Sequence, residues 1–176
     1  MPREQMRTNT MIQLRPLTAE DAATIENWPK YPAEFDDLDY ALRQDGWLAE
    51  FQDWPNTWRF SAEQSGELIA FIILATTAVG EAEFRIALRP DKTGQGLGRI
   101  ITSQTMEKGF GEIDLTRIHL IVRKNNPRAI QLYHRLGFTL RGECHKDVNQ
   151  KPTHFLIMDL QQDDYLAARA IAKTRR

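Results

Sequence analysis

Three stretches of this chain carry residues whose types and spacing could do chemistry. In Lys92–Ile100, KTGQGLGRI, Gly94, Gly96 and Gly98 occupy alternate positions. That spacing is too flexible for a strand and unfavourable in a helix interior. Apolar residues follow at once, so the glycines precede a helix. A helix N-terminus carries unpaired N–H groups and about half a positive charge. Glycines there let a bulky phosphate reach the backbone, although an ordinary Gly-rich turn satisfies the same spacing. Two nucleotide signatures fail. No G-x-x-x-x-G-K-[ST] string occurs, and G-x-G-x-x-G fails because Arg99 stands at its last position.

The second stretch is VRKNNPRAIQLYHRLGF, Val122–Phe138. Pro127 suits a first helical position, which makes Asn126 the N-cap. Ala129, Leu132, Tyr133 and Leu136 then share one helical face. Tyr133 lies on or beside the buried stripe with a hydroxyl that needs a partner. A core tyrosine and a plain cap are the competing readings. The third stretch is EAEFRIAL. Strand alternation puts Glu81, Glu83, Arg85 and Ala87 on one face and Phe84, Ile86 and Leu88 on the other. A carboxylate there can accept a proton, or simply be solvated.

These stretches need elements to hold them. Ile12–Leu17 alternates as a strand, and Thr18 with Asp21 makes an acidic capping box for a helix ending at Pro29. FDDLDYALRQDGWLAEF reads as a second helix. Two strands flank Ser65-Gly66 as a hairpin, and Gly80 opens the strand EAEFRIAL. A helix to about residue 110, the strand RIHLIV and the Pro127 helix follow, then a strand to Gly142, another at HFLIMDL, and a C-terminal helix or tail. The order is α/β, with an antiparallel first half and a strand–helix–strand–helix unit over residues 81–136 that sets two strands parallel.

The chain has 176 residues, 41% hydrophobic and 27% charged, with a formal net charge of −1. Such a balance gives no electrostatic case for nucleic acid or an anionic membrane. No apolar run reaches the length of a membrane span. The start, MPREQMRTNTM, lacks the apolar core of a secretory signal. One cysteine, Cys144, excludes an internal disulfide and suits a reducing cytoplasm. The four histidines show no zinc-ligand spacing of the H-E-x-x-H kind. His145 could still reach an acceptor pocket, or be a surface imidazole.

The glycine stretch resembles motif A of the GNAT superfamily, the acyl-CoA-dependent N-acetyltransferases, whose pattern is [RQ]-x-x-G-x-[GA]. Gly96 and Gly98 fill the glycine positions. Thr93 stands where Arg or Gln is usual, with Lys92 and Arg99 nearby to supply charge. Val122, Asn126, Ala129, Leu132, Tyr133, Gly137 and Phe138 match motif B, V-x-x-x-N-x-x-A-x-x-L-Y-x-x-x-G-F. The resemblance implies a mixed, centrally splayed sheet of six to seven strands flanked by about four helices. It implies one domain over residues 1–176, with a core at 12–160 and a helix or tail at 161–176.

It further implies acetyl-CoA as cosubstrate, without a metal. Thr93, Gly94, Gln95, Gly96, Leu97, Gly98 and Arg99 would hold the pyrophosphate. The pantetheine arm would pair with backbone near Ile86 and Leu88 and contact Asn126. The reaction implied is acetyl transfer to a primary amine by direct attack in a ternary complex. Tyr133 would protonate the leaving thiolate and the Leu88 N–H would hold the developing oxyanion. An alkyl amine has a pKa of about 10.4, so reaching its neutral form at pH 7 costs roughly 4–5 kcal/mol. Glu83 is therefore the first candidate base and Glu81 the second. Two other readings stay open: an N-terminal acetyltransferase of ribosomal-protein type, and a module that binds acyl-CoA without turnover. The acceptor is a small molecule or a protein N-terminus, and a homodimer is expected. The segment YPAEFDDLDY sets Glu34, Asp36, Asp37 and Asp39 among Trp28, Tyr31, Phe35 and Tyr40. In the family this region overhangs the acceptor channel, and its carboxylates would draw in an ammonium group.

Overall fold

The computed structural model describes residues 11–175, so the leading segment read above for a signal lies outside the described residues. Seven strands form one sheet: β1 (Ile12–Pro16), β2 (Thr57–Gln64), β3 (Glu67–Ala78), β4 (Glu81–Leu88), β5 (Arg117–Arg123), β6 (Thr139–Val148) and β7 (Lys151–Gln161), in the order β1-β2-β3-β4-β5-β7-β6. Five α-helices accompany them: α1 (Ala19–Glu26), α2 (Trp47–Glu50), α3 (Leu97–Glu107), α4 (Pro127–Arg135) and α5 (Gln162–Thr174). The first four strands are antiparallel neighbours; α1, the following turns and α2 connect β1 to β2, and tight turns connect β2 to β3 and β3 to β4. Ser65 and Gly66 both take positive φ, 53° and 77°, as a two-residue hairpin of matching twist requires.

The central pair, β4 and β5, is parallel and short. It pairs only Glu81 with Arg117, Ala82 with Ile118 and Glu83 with His119. Beyond that rung the strands diverge, leaving Phe84–Leu88 and Leu120–Arg123 without one another.

Alternation divides the core. Ala82 and Phe84 bury against α3 and α4, joined by Ile86 and Leu88, with Ile101, Leu120 and Tyr133 in the same cluster. On the other face Ala87, Phe71 and Ile73 pack with Ile25, Trp28, Leu42 and Phe51 from the first helices.

Two readings of the chain order need correction. The run read as one helix after Phe35 is a stretch of 3₁₀ turns, Ala33–Leu42, kinked at Phe35 and followed by the single turn of α2. The cause is Gly46, where a Cβ would lie 2.1 Å from the Tyr40 carbonyl oxygen. Chain segments approach there as only glycine permits. Strand β6 runs on to Val148 rather than stopping at Gly142. Its far half is polar and lacks alternation, but β7 supplies a full ladder down to Val148–Lys151. The C-terminal segment is helical, with Tyr165 against Phe110 at 4.9 Å between ring centroids.

The capping box of α1 forms as expected. Thr18 Oγ1 accepts from the Asp21 N–H at 3.1 Å, and the Asp21 carboxylate accepts from the Thr18 N–H at 2.9 Å. The same carboxylate receives Arg15 at 2.5 and 2.8 Å and the Ser61 hydroxyl at 2.8 Å. Arg15, aided by Thr18 and Ser61, holds the Asp21 carboxyl well below the usual carboxylate range. A depressed folded value means that this stability is present above the unfolded pKa, about 4, and lost as pH falls below it. Asp21→Asn is expected to destabilise the fold at pH 7 by about 1–3 kcal/mol and to flatten the acid limb of a melting-temperature profile. An acid limb identical to wild type would show that Asp21 does not govern it.

Candidate active site

The divergence of β4 from β5 builds the site. The Arg89 N–H bonds the Ile69 carbonyl at 2.7 Å, so odd-numbered positions of β4 turn their backbone polar groups toward β3. The even-numbered positions, Ile86 and Leu88, turn theirs into the gap. No strand pairs with them there. The Leu88 carbonyl instead accepts from the Tyr31 hydroxyl at 2.5 Å. On the opposite lip, buried Arg123 ion-pairs with Asp37 and donates to the Asp37 carbonyl oxygen at 3.0 Å. Residues 31–37 thus cross the mouth of the gap and fasten to both lips.

At this mouth sits the glycine loop. Gly94 and Gly96 adopt positive φ, 75° and 77°, and Gly96 is the residue that caps α3, with no side chain to satisfy the first-turn N–H groups. A Cβ on Gly94 would lie 3.2 Å from the Arg128 guanidinium, reaching over from α4. Arg128 has no carboxylate partner among the described residues. Lys92, by contrast, lies 4.0 Å from Glu67. Thr93 and Gln95 bond locally, to the Pro90 and Asp91 carbonyls, both at 3.1 Å. Leu97 is buried and Arg99 exposed. Gly98 lies in the first turn of α3, with Leu88 and Leu132 3.7 and 3.8 Å from where a Cβ would stand. Orphan N–H groups, left-handed glycines and a free guanidinium are a donor set suited to a pyrophosphate.

Asn126 caps α4, its Oδ1 accepting from the Ala129 N–H at 3.2 Å. Tyr133 is buried, edge-on to Phe84 with centroids 6.3 Å apart and tilted on Phe138 at 5.6 Å. Burial raises its pKa, which keeps the phenol protonated. Its hydroxyl has no hydrogen-bond partner among the described residues.

On the opposite face of β4, one carboxylate oxygen of Glu83 accepts from Arg85 at 3.1 Å. Arg85 also bonds Glu50 at 2.9 Å and stacks over Trp47 and Phe51. Glu81 pairs with Arg117 at 3.0 Å, and Arg117 with buried Asp159 at 2.8 Å. Beside Glu83 stands His119, on the last rung of the β4–β5 ladder. Its Nε2 is 2.8 Å from the Thr77 hydroxyl. Burial, helped by the Arg117 charge, lowers its pKa and favours the neutral ring.

The acidic segment is less acidic than its composition promised. Asp37 is bound by Arg123, and Asp39 by Arg43 at 2.5 and 2.8 Å. Glu34 and Asp36 stay exposed and unpaired among the described residues. Trp28 and Tyr40 anchor the segment against Phe71 and Trp47. His145 stacks on His154 at 4.2 Å in the β6–β7 hairpin. No group of three or more His, Cys, Asp or Glu among the described residues is placed to hold a metal.

A splayed parallel pair beside a glycine-capped helix, with a buried tyrosine on the next helix, defines an acyl-CoA-dependent transferase. The model of the Acetyltransferase (GNAT) family matches residues 21–138, and the chain belongs to that family. It is an N-acetyltransferase that takes its acetyl group from acetyl-CoA and passes it to a primary amine. Spermidine N(1)-acetyltransferase of Escherichia coli K12 is 30% identical over 170 residues, covering 89% of each chain. The [ribosomal protein bS18]-alanine N-acetyltransferase of the same organism is 34% identical over 79 residues, 45% of this chain and 53% of that one. A crystal structure of mutant forms of the spermidine/spermine N-acetyltransferase of Vibrio cholerae superimposes with a TM-score of 0.71. It shares 26% identity and covers 90% of this chain and 99% of that one.

Arg128 and His119 are the site residues that reading the chain alone misses. Both are single polar residues whose meaning depends on a neighbour distant in sequence.

Gly98→Asp leaves room for its Cβ, so the variant should fold, but its carboxylate would stand where this donor set would receive a pyrophosphate. Calorimetry is expected to show the Kd for acetyl-CoA raised at least about tenfold, equivalent to 1.4 kcal/mol. Arg128→Gln should weaken binding several-fold. Unchanged affinity in both would remove the cradle from this loop.

Proposed function

We propose that this enzyme acetylates a linear polyamine of the spermidine class. The observation that carries the reading is the end-to-end similarity to spermidine N(1)-acetyltransferase, 89% of both chains. The match to the ribosomal-protein alanine acetyltransferase stops at about half of each chain. The site supports the same reading. The segment crossing the mouth carries two unpaired carboxylates, Glu34 and Asp36, suited to the distal ammonium groups of a flexible polycation. Phe35 between them is 41% exposed, and its ring face can add cation–π attraction of about 0.5–2 kcal/mol.

In this reading the loop Thr93–Arg99, with Arg128, holds the pyrophosphate of acetyl-CoA. The Ile86 N–H and C=O groups, left without a strand partner, pair with the pantetheine arm as a strand would, alongside Asn126. The Leu88 N–H stabilises negative charge as it develops on the acetyl oxygen. Tyr133, held protonated by burial, donates to the departing sulfur. Glu83 is the carboxylate on the acceptor face of β4 that favours removal of the ammonium proton. The amine attacks directly in a ternary complex. Residues 12–160 form the transferase unit, with α5 appended. The single free cysteine fits work in a reducing cytoplasm. Among the described residues no helix is long and apolar enough to cross a membrane. Self-association, as a homodimer or larger, is part of the proposal, since a dodecameric structure of the Vibrio cholerae spermidine enzyme shares the fold at 25% identity and a TM-score of 0.70.

An acceptor panel followed by release of the CoA thiol tests the reading. Spermidine and spermine should turn over, and an alanine-initiated peptide should not. Preference for the peptide would instead favour an N-terminal acetyltransferase, and no turnover of any amine would favour a binding module. Glu34→Gln with Asp36→Asn should raise the polyamine KM about tenfold and leave that of acetyl-CoA unchanged. An unaffected polyamine KM would exclude these carboxylates. Tyr133→Phe should lower kcat by about 10²-fold with little change in acetyl-CoA affinity. Turnover within twofold of wild type would end the acid role.

A further inference from the structure

The proton that leaves the ammonium group needs an acceptor, and the carboxylate on β4 has one oxygen committed to Arg85. On the neighbouring strand lies an imidazole with no ion-pair partner among the described residues, its Nε2 bonded only to the Thr77 hydroxyl. His119 is the register partner of Glu83 on the last rung before β4 and β5 part. Register partners in adjacent strands project from the same face, so the imidazole and the carboxylate lie side by side at the floor of the gap. This is the face opposite Tyr133, whose ring belongs to the cluster beneath α3 and α4. An amine entering from the acceptor face meets His119 and Glu83 on one side of the sheet, with Tyr133 beyond on the other.

We propose that His119 takes the proton from the incoming amine, held in place by Thr77 and steadied as imidazolium by Glu83. The inference rests on the amine-acetylating reading and names a group which that reading left out. The proton would arrive at Nδ1, so the neutral ring carries its hydrogen on Nε2 and donates it to the Thr77 hydroxyl; the 2.8 Å contact is kept in the imidazolium and orients the ring in both states. The charged groups around the ring are Arg117 on its own strand, Glu81 and Glu83 on β4, and Asp159 on β7. Asp159 is matched by Arg117 and Arg141 at 2.8 and 2.7 Å, and Glu81 by Arg117 at 3.0 Å. Burial and Arg117 together favour the neutral ring, the form that can receive a proton.

The proton balance closes. The ammonium gives one proton to His119, and the freed lone pair forms the C–N bond to the acetyl carbon. As the C–S bond breaks, the departing sulfur takes the Tyr133 phenol proton, and the nitrogen's second proton passes through water to the tyrosinate and restores the phenol. His119 then returns its proton to solvent, and each turnover releases one proton.

The test combines a titration without substrate and a pH profile. The His119 imidazole resonance is assigned by its disappearance in His119→Gln and titrated in wild type and in Glu83→Gln. Its wild-type midpoint should fall below the ordinary value of about 6.5. Glu83→Gln should move it lower still, because a carboxylate that favoured the imidazolium has gone. That midpoint should coincide with the acid limb of kcat/KM, which reports groups of the free enzyme. His119→Gln should lower kcat/KM at pH 7 by about 10²-fold and abolish the limb, with acetyl-CoA affinity by calorimetry unchanged. A wild-type profile in His119→Gln overturns the proposal. So does a His119 midpoint that Glu83→Gln fails to move. Loss of the limb in Glu83→Gln alone assigns the proton to Glu83 and also overturns it. The titration needs no acceptor. If no polyamine turns over, the acceptor reading falls, and the pH profile of His119→Gln is read with whichever primary amine the panel finds.

Discussion

The short pairing of β4 with β5 is the constraint on which the rest of the molecule depends. Three rungs join an antiparallel half-sheet, β1 to β4, to a second half made of β5, β7 and β6. Had the strands stayed parallel to Leu88 and Arg123, backbone pairing would have consumed every polar group between them. Instead Phe84, the first residue past the ladder, packs edge-on to Tyr133, and Phe138 completes an aromatic wedge beneath the point of divergence. The gap is thus bounded by packed rings below and by the segment Tyr31–Asp37 above. The helix that follows β4 starts at the mouth of the gap, which brings the glycine loop over the open end.

Electrostatics divide the two faces. Beneath α3 and α4 the wedge is apolar, and a phenol there stays neutral. The other face carries carboxylates, yet most are bound: Glu50 and Glu83 by Arg85, Glu81 and Asp159 by Arg117, Asp37 by Arg123. These ion pairs fix side-chain positions, and because Arg85 and Arg117 each serve two carboxylates the face keeps an excess of negative charge.

Features that rest on local geometry were legible in the chain alone. The left-handed glycines, the Asn126 and Thr18 caps, the Ser65-Gly66 turn and the helical stripe ending at Leu136 each depend on neighbours within a few residues. What stayed hidden depends on distant partners. Asp37 looked like a free acid because Arg123 approaches it only in the folded chain, whereas the Asp39–Arg43 pair is local, four residues apart. The break at Gly46 reflects the close passage of the Tyr40 carbonyl, which no periodicity announces. The outer half of β6 is polar and held by its ladder to β7. His119 sits inside the apolar run RIHLIV, and only the register with Glu83 shows what stands beside it.

The Ile86 N–H and C=O and the Leu88 N–H, without a strand partner, make the gap a sheet with rungs missing. In a packed core these are among the few backbone amides without a strand partner, so they mark the seam along which the two half-sheets can separate. A ligand that pairs with them supplies the absent rungs. In the proposed binding mode, cofactor binding and sheet completion share one free energy, and the fold would gain stability by RT ln(1 + [L]/Kd) as the cosubstrate concentration rises. On that mode, resistance of the seam to opening would rise and fall with the acetyl-CoA that the enzyme consumes.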